Sequence, residues 1–470
     1  MALENTHFGA EAIAAMLNGV KKLYFCGIGG VSMCSLARIS HIRGYEVSGY
    51  DRSCTAITTA LEDMGIPVHY SNDPSHIDGC GMLIYTVAIP ADTPEFVEAK
   101  KRGIPCVSRS DYLGYIMWGY EKRIGISGMH GKTTTTSMTA KIFGDAGFDP
   151  TVSCGGVMKD VGSEYRIGEG PHFIFEACEY MDSFLDFYPS VAVVLNIEMD
   201  HVDYFHSMEQ IRTSYKNFMA KTGKNGVAIV NCGDDDVMKS AADYEGTLIT
   251  FGIDAPDADY NAVNVSFAGG RAEYDLMHAG ELLCHVKLSV PGAHLVCDSL
   301  AAAAAAHICG ISPEVISASL ETFEGAGRRM DPMGNSRSGA DIYSDYAHHP
   351  TEIKTTLQAA SQMNFNHVYC VFQPHTYSRT AELFDGFASA LSCDGIDEII
   401  LAPIYSARET NTYNVASEDL AEAIIKAGKK CRVIGQFSDI ADYLNEVSEV
   451  GDMLLIMGAG DITKVIGHLK

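Results

Sequence analysis

Short apolar runs alternate with segments of helical periodicity along the whole chain, which predicts an α/β protein built largely on parallel strands. The first apolar run, at 22–26, is followed by a glycine turn, a helix over 33–43 and a second strand that ends at Asp51. Further short strands are predicted near 82–85 and 105–107. A strand, a glycine turn, a helix and a second strand in this order are typical of a Rossmann-like domain.

A second α/β segment is predicted to begin with a strand over 122–127, a loop over 128–132 and a helix over 133–146. Its remaining strands are predicted at 172–176, 191–196 and 226–231. Between 247 and 290 the predicted strands become shorter and alternate, which indicates a small antiparallel appendage. A helix over 293–309 then returns to the main body of the segment.

A third alternation of strands and helices follows Gly327. Its strands are predicted at 341–346, 367–373, 398–402, 432–435 and 453–458. Three domains are therefore expected. They are a Rossmann-like N-terminal domain over 1–120, a central P-loop ATPase-type α/β domain over 121–327 and a Rossmann-like C-terminal domain over 328–470.

Composition and charge limit the possible functions. A length of 470 residues exceeds what one ordinary hydrophobic core supports. The formal net charge of −26 argues against a nucleic-acid partner, because binding to phosphate backbones requires a dense basic surface. The 14 cysteines include no C-x-x-C pair, so a reducing, cytoplasmic location is expected. No signal peptide is predicted, because residues 1–17 lack the basic start and the long apolar stretch of one. No membrane insertion is predicted, because the alanine run at 301–306 is too short to cross a bilayer.

The stretch 128–134 lies between a predicted strand and a predicted helix and has the composition of a phosphate-binding loop: it reads Gly128-Met129-His130-Gly131-Lys132-Thr133-Thr134. Glycines let backbone N–H groups close around phosphate oxygens, and the start of the helix adds positive potential. Lys132 can reach the β- and γ-phosphates, and a threonine hydroxyl can face Mg²⁺. The spacing is not the strict Walker pattern, since position 126 is Ile126. A glycine turn with an incidental lysine is the alternative interpretation.

Acidic and histidine side chains follow two further predicted strands, in the stretches 176–180 and 196–203. Both stretches are expected at the carboxyl edge of the sheet, where open α/β folds bind ligands. Carboxylates and an imidazole there could hold one or two Mg²⁺ ions that bridge a triphosphate and an acceptor. Solvated acidic loops are the alternative interpretation.

The first glycine turn, 27–32, resembles a dinucleotide-binding fingerprint but has Ser32 where a third glycine is expected. Asp51, at the end of the second strand, could bond a ribose hydroxyl. An NAD-dependent oxidoreductase is therefore a competing hypothesis, although a uridine diphosphate could use the same turn.

Histidines and an arginine follow two predicted strands of the third segment, in the stretches 345–350 and 372–380. Their position at strand ends indicates a ligand site. Proline-bounded loops with capping histidines are the alternative.

These motifs, in this order, resemble those of the Mur ligases, the ATP-dependent enzymes of peptidoglycan precursor assembly. The resemblance covers nearly the whole chain and rests on these stretches: 27–33, 128–136, 176–180, 196–203, 291–294, 327–329, 345–352, 372–380 and 458–461. It implies three domains, for a UDP-sugar, for ATP and for an amino acid. It also implies a carbon–nitrogen ligase that joins L-alanine to the lactyl carboxylate of UDP-N-acetylmuramate through an acyl phosphate, with ATP and Mg²⁺. A monomer or a homodimer is expected.

The resemblance also implies roles for individual residues. Lys132, Glu176, His201 and His348 would be catalytic, and Thr133, Glu176 and His201 would hold Mg²⁺. Nucleotide contacts would come from Gly128, His130, Gly131, Lys132, Thr133, Thr134, His294, Arg328 and Asp345. The UDP-sugar and the amino acid would be bound by Gly27, Gly29, Gly30, Asp51, Tyr346, His348, His375 and Arg379.

Some positions depart from the family pattern. Many relatives have asparagines that meet adenine where this chain has Leu295 and Asp298. Thr376 stands where some alanine-adding relatives have arginine, and Glu179-Tyr180 replaces a more acidic form. These departures concern substrate contacts more than the class of reaction.

Three other functions compete with this interpretation. A nicotinamide oxidoreductase leaves the Lys132 loop unexplained. A non-catalytic nucleotide-binding regulator gives no reason for Glu176, His201 and the histidines of the third segment to occur together. The nearest rival is the related ligase that attaches recycled murein peptides to UDP-N-acetylmuramate, which the stretch 372–380 disfavours.

Overall fold

The computed structural model describes residues 3–201, 204–407 and 409–470. The chain divides into two compact units. The first comprises Met1–Ile197, Arg212–Thr250 and Ala304–Ile311, and the second comprises Glu198–Ile211, Phe251–Ala303 and Ser312–Lys470. Three elements continue across these divisions: Met208–Ala220, Thr247–Ile253 and Leu295–Ile308.

The first unit begins with a parallel five-stranded sheet in the order β3-β2-β1-β4-β5. Its strands are β1 (Lys22–Cys26), β2 (Glu46–Tyr50), β3 (Val68–His69), β4 (Met82–Tyr85) and β5 (Cys106–Ser108). Its helices are α1 (Ala10–Met16), α2 (Val31–Ile42), α3 (Ala56–Asp63), the 3₁₀-helix η1 (Pro74–Ile77), α4 (Pro94–Lys101) and α5 (Arg109–Trp118). This strand order is that of a Rossmann-like half, with the first glycine turn after the central strand.

A second sheet of the first unit has the order β11-β10-β6-β9-β7-β8 and is parallel apart from the β7–β8 pair. Its strands are β6 (Lys122–Ser127), β7 (Thr151–Met158), β8 (Ser163–Arg166), β9 (His172–Glu176), β10 (Val191–Val194) and β11 (Val227–Asn231). The helices are α6 (Lys132–Asp145), the 3₁₀-helix η2 (Tyr180–Asp186), α7 (Met208–Ala220) and α8 (Asp235–Ala241). Since β9, β6 and β10 are neighbours, the residues that follow them meet at one edge.

The second unit contains an appendage of three antiparallel strands, β13 (Tyr260–Ala268), β14 (Arg271–His278) and β15 (Glu281–Pro291). Its first strand also pairs in parallel with the end of β12 (Thr247–Ile253). The predicted antiparallel pairing is confirmed, but the expectation of shorter strands is wrong, since β15 has 11 residues. Its partner β14 buries alternate residues, such as Tyr274 and Leu276, so one face of β14 is packed. A packed face fixes the register of a strand, which stabilises the pairing along the whole length of β15. Helices α9 (Leu295–Ile308) and α10 (Pro313–Glu321) follow.

The remainder of the second unit is built on a sheet with the order β16-β17-β21-β18-β19-β20, parallel apart from β16. Its strands are β16 (Asp331–Asn335), β17 (Asp341–Asp345), β18 (Val368–Phe372), β19 (Glu398–Leu401), β20 (Cys431–Val433) and β21 (Met453–Met457). Its helices are α11 (Pro350–Ser361), α12 (Tyr377–Glu382), α13 (Phe384–Leu391), α14 (Ser417–Lys426), α15 (Phe437–Val447) and α16 (Lys464–Leu469).

The central strand of this last sheet shows why its sequence is continuously apolar. Leu455 packs in a core with Leu357 and Phe387 of the helices on one face. The adjacent Leu454 packs on the other face, in a core that contains Ile440 and Val465. Helices therefore cover both faces, as expected for a parallel sheet.

The α/β fold predicted from the sequence is confirmed, and β1, β4, β6 and β9 have the predicted bounds. The strands β3, β7, β8 and β16 were not predicted. The helix after the phosphate loop begins at Lys132 rather than at Thr133. The domain boundaries near 121 and 328 stay a prediction. Within the described residues, no helix combines the length and the apolar character needed to span a bilayer.

Gly49 of β2 supports the first glycine turn, because Ile28 of that turn packs directly on it. A Cβ atom at position 49 would overlap the Phe25 carbonyl oxygen and lie 2.8 Å from Ile28 Cδ1. We expect Gly49→Ala to cost about 1–3 kcal/mol, seen as a lower urea midpoint of unfolding. Gly144→Ala is the control, since an added Cβ there meets nothing within 4 Å and alanine favours the helix. An unchanged midpoint for Gly49→Ala would contradict this packing.

Candidate active site

The loop between β6 and α6 has the backbone conformation of an anion-binding turn. Gly128 has φ 146° and Gly131 has φ 83°, and residues with a Cβ rarely adopt either. A Cβ at position 128 would lie 2.9 Å from Leu195 Cβ, because the loop is packed closely against the end of β10. The backbone at 131 forms the N-terminus of α6, where N–H groups favour negative charge.

Asn196 holds this loop from the neighbouring strand end. Its Oδ1 accepts the His130 N–H at 2.8 Å, and its Nδ2 donates to the His130 carbonyl at 3.0 Å. The Met129 N–H donates to the Asn196 carbonyl at 3.2 Å. The backbone of Met129 and His130 is thus held by Asn196.

The amine of Lys132 lies inside its own loop. It donates to the carbonyl oxygens of Gly128 at 2.5 Å and Met129 at 3.1 Å, and it lies 3.0 and 3.2 Å from the two carboxylate oxygens of Glu179. Burial by itself would lower the pKa of Lys132, but the Glu179 charge outweighs burial and raises that pKa above its ordinary value. Lys132 is therefore a cation at neutral pH.

Thr133 and Glu176 come together beside the loop. The Thr133 hydroxyl donates to Glu176 Oε2 at 2.9 Å, and the Gly155 N–H donates to the same oxygen at 2.7 Å. Glu176 is partly exposed, whereas Thr133 and Thr134 are buried. A hydroxyl and a carboxylate are hard oxygen ligands of the kind that Mg²⁺ prefers, so the residue types and their proximity fit the predicted metal. Their role as ligands stays a prediction.

His201 belongs to the second unit and has a left-handed backbone, with φ 50°. Its N–H donates to Asp200 Oδ1 at 2.6 Å, and the same oxygen accepts from Arg379 Nε at 3.2 Å and Nη2 at 3.0 Å. Burial would raise the pKa of Asp200, but the Arg379 guanidinium outweighs it and holds that pKa well below its usual range. Asp203, from the same sequence motif, lies outside the described residues.

Arg379 links this ion pair to the histidines of the third sheet. Its Nη1 lies 3.3 Å from His375 Nδ1, and the rings of His375 and His348 are 5.9 Å apart between centroids. His348 Nδ1 lies 3.0 Å from the Tyr346 carbonyl oxygen. The structure thus brings together the four residues predicted for the amino-acid site, with Asp200 as an additional member.

Tyr346 and Arg328 also meet. The Arg328 guanidinium carbon lies 4.6 Å from the Tyr346 ring centroid, and Arg328 Nη2 donates to the Gly458 carbonyl at 2.5 Å. Asp345 is buried, and burial raises its pKa. Its carboxylate oxygens accept hydrogen bonds from the backbone N–H groups of Met330 and Ala347, both at 2.8 Å. Asp345 therefore stabilises the backbone on both sides of it.

The first glycine turn is held by Asp51, which follows β2. Gly27 has φ 83°, and the Gly29 N–H donates to Asp51 Oδ2 at 2.9 Å. Gly30 is the exposed N-cap of α2. A feature that the sequence did not reveal is Arg109, whose Nη1 donates to Ser32 Oγ at 3.1 Å beside the start of that helix.

His294 is exposed, and its ring lies over Gly292, where an added Cβ would be 2.5 Å from His294 Cε1. Leu295 and Asp298, which follow it on α9, are both buried. Neither side chain is therefore freely accessible from solvent.

Sequence reasoning missed the partners of the site more often than its principal residues. Asn196, Glu179 and Asp200 all lie within recognised motifs, but none of them was assigned an individual role. Polarity at a strand end was the available signal for Asn196. Glu179 and Asp200 differ from ordinary acidic loop residues in being buried, and burial cannot be read from a single sequence.

Three family models match consecutive parts of the chain. The Mur ligase family catalytic domain matches residues 22–121, the Mur ligase middle domain 126–306, and the Mur ligase glutamate ligase domain 328–460. The chain belongs to the Mur ligase family. As a Mur ligase it belongs to a family of ATP-dependent ligases, so the predicted enzyme class is confirmed and the oxidoreductase hypothesis is not supported.

Proteins similar in sequence or in structure to this Mur ligase align with almost its whole length. The UDP-N-acetylmuramate–L-alanine ligase of Clostridium acetobutylicum is 42% identical over 95% of the chain and 96% of that protein. The enzyme of the same name from Lachnospira eligens is 43% identical over 94% and 96%. The crystal structure of UDP-N-acetylmuramate–alanine ligase from Thermotoga maritima has a TM-score of 0.80 at 25% identity, over 95% of this chain and 98% of that one.

Burial of His348 and His375 has a consequence for stability. It lowers the pKa of each to about 4, whereas the pKa of a histidine in the unfolded chain is about 6.5. Both rings are therefore neutral in the folded Mur ligase while the unfolded chain binds protons, so stability should fall as the pH decreases from about 6.5 to about 4. Urea unfolding at several pH values measures this loss. The variant with His348→Gln and His375→Gln should show a shallower decline, and an identical decline would contradict the assignment.

Proposed function

We propose that this chain joins L-alanine to the lactyl carboxylate of UDP-N-acetylmuramate at the expense of ATP, in peptidoglycan precursor synthesis. Relatives that are 42 and 43% identical over nearly their full length bear that name, and this is the observation that carries the proposal. The loop at Lys132 supports it independently, because it combines a cation, a helix N-terminus and rigid backbone N–H groups.

The reaction has two bond-forming steps. The lactyl carboxylate attacks the γ-phosphorus of ATP, which forms an acyl phosphate and releases ADP. The amine of L-alanine then attacks the acyl carbon, and phosphate leaves as the amide forms. Catalysis would consist mainly of positioning and of neutralising charge on the transferring phosphoryl group, for which Lys132 and the start of α6 are suited.

Mg²⁺ would be held by Thr133 and Glu176, with His201 assigned to a second ion. The bound metal would neutralise charge on the phosphate oxygens. The chain's own contribution is to fix the ligands, since the Gly155 N–H and the Thr133 hydroxyl orient Glu176. Gly128, His130, Gly131 and Thr134 would complete the nucleotide site, to which His294, Arg328 and Asp345 are also assigned.

The amino-acid site would consist of Tyr346, His348, His375 and Arg379. An arginine fork suits the carboxylate of alanine, although two of its N–H groups are already directed to Asp200. His348 is neutral at neutral pH, and its Nδ1 donates to the Tyr346 carbonyl, so its Nε2 would accept a proton from the attacking amine. A neutral His375 accepts from Arg379 at Nδ1, so its Nε2 carries a hydrogen. We assign that role to His348 first.

The turn formed by Gly27, Gly29 and Gly30, with Asp51, would bind the UDP part of the sugar nucleotide. In this scheme the UDP-sugar, ATP and the amino acid are handled by domains at 1–120, 121–327 and 328–470. The enzyme would work in the cytoplasm as a monomer or a homodimer.

An ADP-release assay with each substrate omitted in turn tests the proposal. Sustained ADP release should require UDP-N-acetylmuramate and an amino acid together, and L-alanine should exceed glycine because a pocket that fits one methyl group discriminates by about 1–3 kcal/mol. A preference for the peptide L-Ala-D-Glu-diaminopimelate over free alanine would instead favour the peptide-recycling ligase. ADP release that needs no sugar nucleotide would contradict both ligase assignments.

Glu176→Gln should raise the Mg²⁺ concentration needed for half-maximal activity by about tenfold or more. Few protein ligands would hold this ion, so the loss of one carboxylate should weaken its binding strongly. The measurement is ADP release against Mg²⁺ at saturating substrates. Glu169→Gln is a matched control that removes the same charge from an exposed position of the same unit. If both variants keep the wild-type Mg²⁺ dependence, Glu176 is not a metal ligand.

A further inference from the structure

All the hydrogen-bonding capacity of the Lys132 amine is used within the protein. An ammonium group has three N–H donors. Four oxygen atoms lie within 3.2 Å of Lys132 Nζ: the carbonyl oxygens of Gly128 and Met129 and the two carboxylate oxygens of Glu179. A phosphate oxygen can therefore bind this amine only if it displaces at least one of them.

Glu179 is the member of this set that carries charge. It is fully buried, and its carboxylate faces the amine of a lysine whose side chain is only 12% exposed. An ion pair withdrawn from water is much less screened than one on the surface. Glu179 is therefore a stronger competitor for the amine than either carbonyl group.

The backbone that carries Glu179 is held in place. The Asp182 N–H donates to the Glu179 carbonyl at 2.9 Å, and Met181 and Asp182 have left-handed φ values of 54° and 53°. The Ser214 hydroxyl donates to the Asp182 carboxylate, and the Ser183 hydroxyl donates to the Cys178 carbonyl at 2.9 Å. Such strained segments persist only where their surroundings fix them.

The far end of this segment is tied to other parts of the first unit. Asp186, the last residue of η2, accepts from Ser110 Oγ at 2.5 Å and lies 2.6 Å from His7 Nδ1. Both ends of η2 are thus anchored, whereas Lys132 has a long and adaptable stem. Exchange of partners would therefore occur by movement of the lysine amine rather than of Glu179.

We propose that Glu179 is a positioning residue that competes with nucleotide phosphate for the Lys132 amine and so weakens nucleotide affinity. In the absence of nucleotide it holds the amine in the loop. When phosphate binds, the amine transfers part of its bonding from Glu179 to the phosphate, and the return of the amine to Glu179 favours release of ADP. This inference rests on the proposed binding of nucleotide by the Lys132 loop.

Calorimetric titration of the full-length protein with ADP tests this competition. Glu179→Gln keeps the size of the side chain and one acceptor but removes the charge. It should bind ADP about fivefold more tightly than the wild type, because a hydrogen bond to a charged partner is roughly twice as strong as one to a neutral partner. A residue with only a structural role would give the opposite result, since loss of structure weakens binding. An unchanged or higher Kd in folded Glu179→Gln would overturn the inference.

Two further variants separate competition from simple charge repulsion. In a Lys132→Ala background, Glu179→Gln should have little effect on the Kd for ADP, because no amine is left to compete for. Equal tightening in both backgrounds would mean that Glu179 merely repels the anion, and would overturn the proposal. Glu169→Gln, at an exposed position, should leave the Kd unchanged.

Circular dichroism of each variant establishes that it is folded. If Glu179→Gln does not fold, Glu179→Asp is the substitute, since it withdraws the carboxylate from the amine by about one bond length and should also tighten ADP binding. If the wild type itself binds no ADP, the proposed nucleotide site fails and this inference fails with it. If the wild type binds ADP and neither variant tightens binding, only this inference fails.

Discussion

The positive charge of Lys132 lies in a nearly dry position, and the geometry of the candidate active site depends on how that charge is stabilised. Removing an ammonium group from water is costly unless it is paired and fully hydrogen-bonded. Here Glu179 supplies the opposite charge and the loop carbonyls supply the remaining acceptors. The loop is thereby kept in the conformation that presents its N–H groups to an anion. The backbone of a loop prepared in this way needs little rearrangement when phosphate arrives, and the Lys132 amine is the group that has to exchange a partner.

The same requirement recurs in the second unit, where Arg379 and Asp200 form a buried ion pair. Truncation of one partner of such a pair leaves an uncompensated charge, so both members constrain their surroundings. Arg379 in turn orients His375, and burial keeps His375 and His348 neutral. In a chain with a net charge of −26, these few cations, each held in a specific position, would bind the anionic substrates of the proposed reaction.

Parallel sheets explain why these groups can be gathered at all. The carboxyl ends of neighbouring strands meet at one edge, so residues that are distant in sequence become neighbours. Glu176 ends β9 and pairs in register with Ile126 of β6, which leads into the phosphate loop. Asn196 follows β10, the neighbour of β6 on its other side. The fold therefore assembles the candidate site by strand order.

The sequence by itself determined the α/β class, the bounds of strands such as β6 and β9, and the motifs at their ends. Apolar periodicity, glycine turns and motif spacing are local properties that one sequence can show. Only the tertiary structure decided that Lys132 pairs with Glu179, 47 residues away, and Arg379 with Asp200, 179 residues away. Such partners depend on strand order and burial, which arise when distant segments pack together. Local patterns could not predict them, because a buried counter-ion and a solvated acidic residue have the same letter in the sequence.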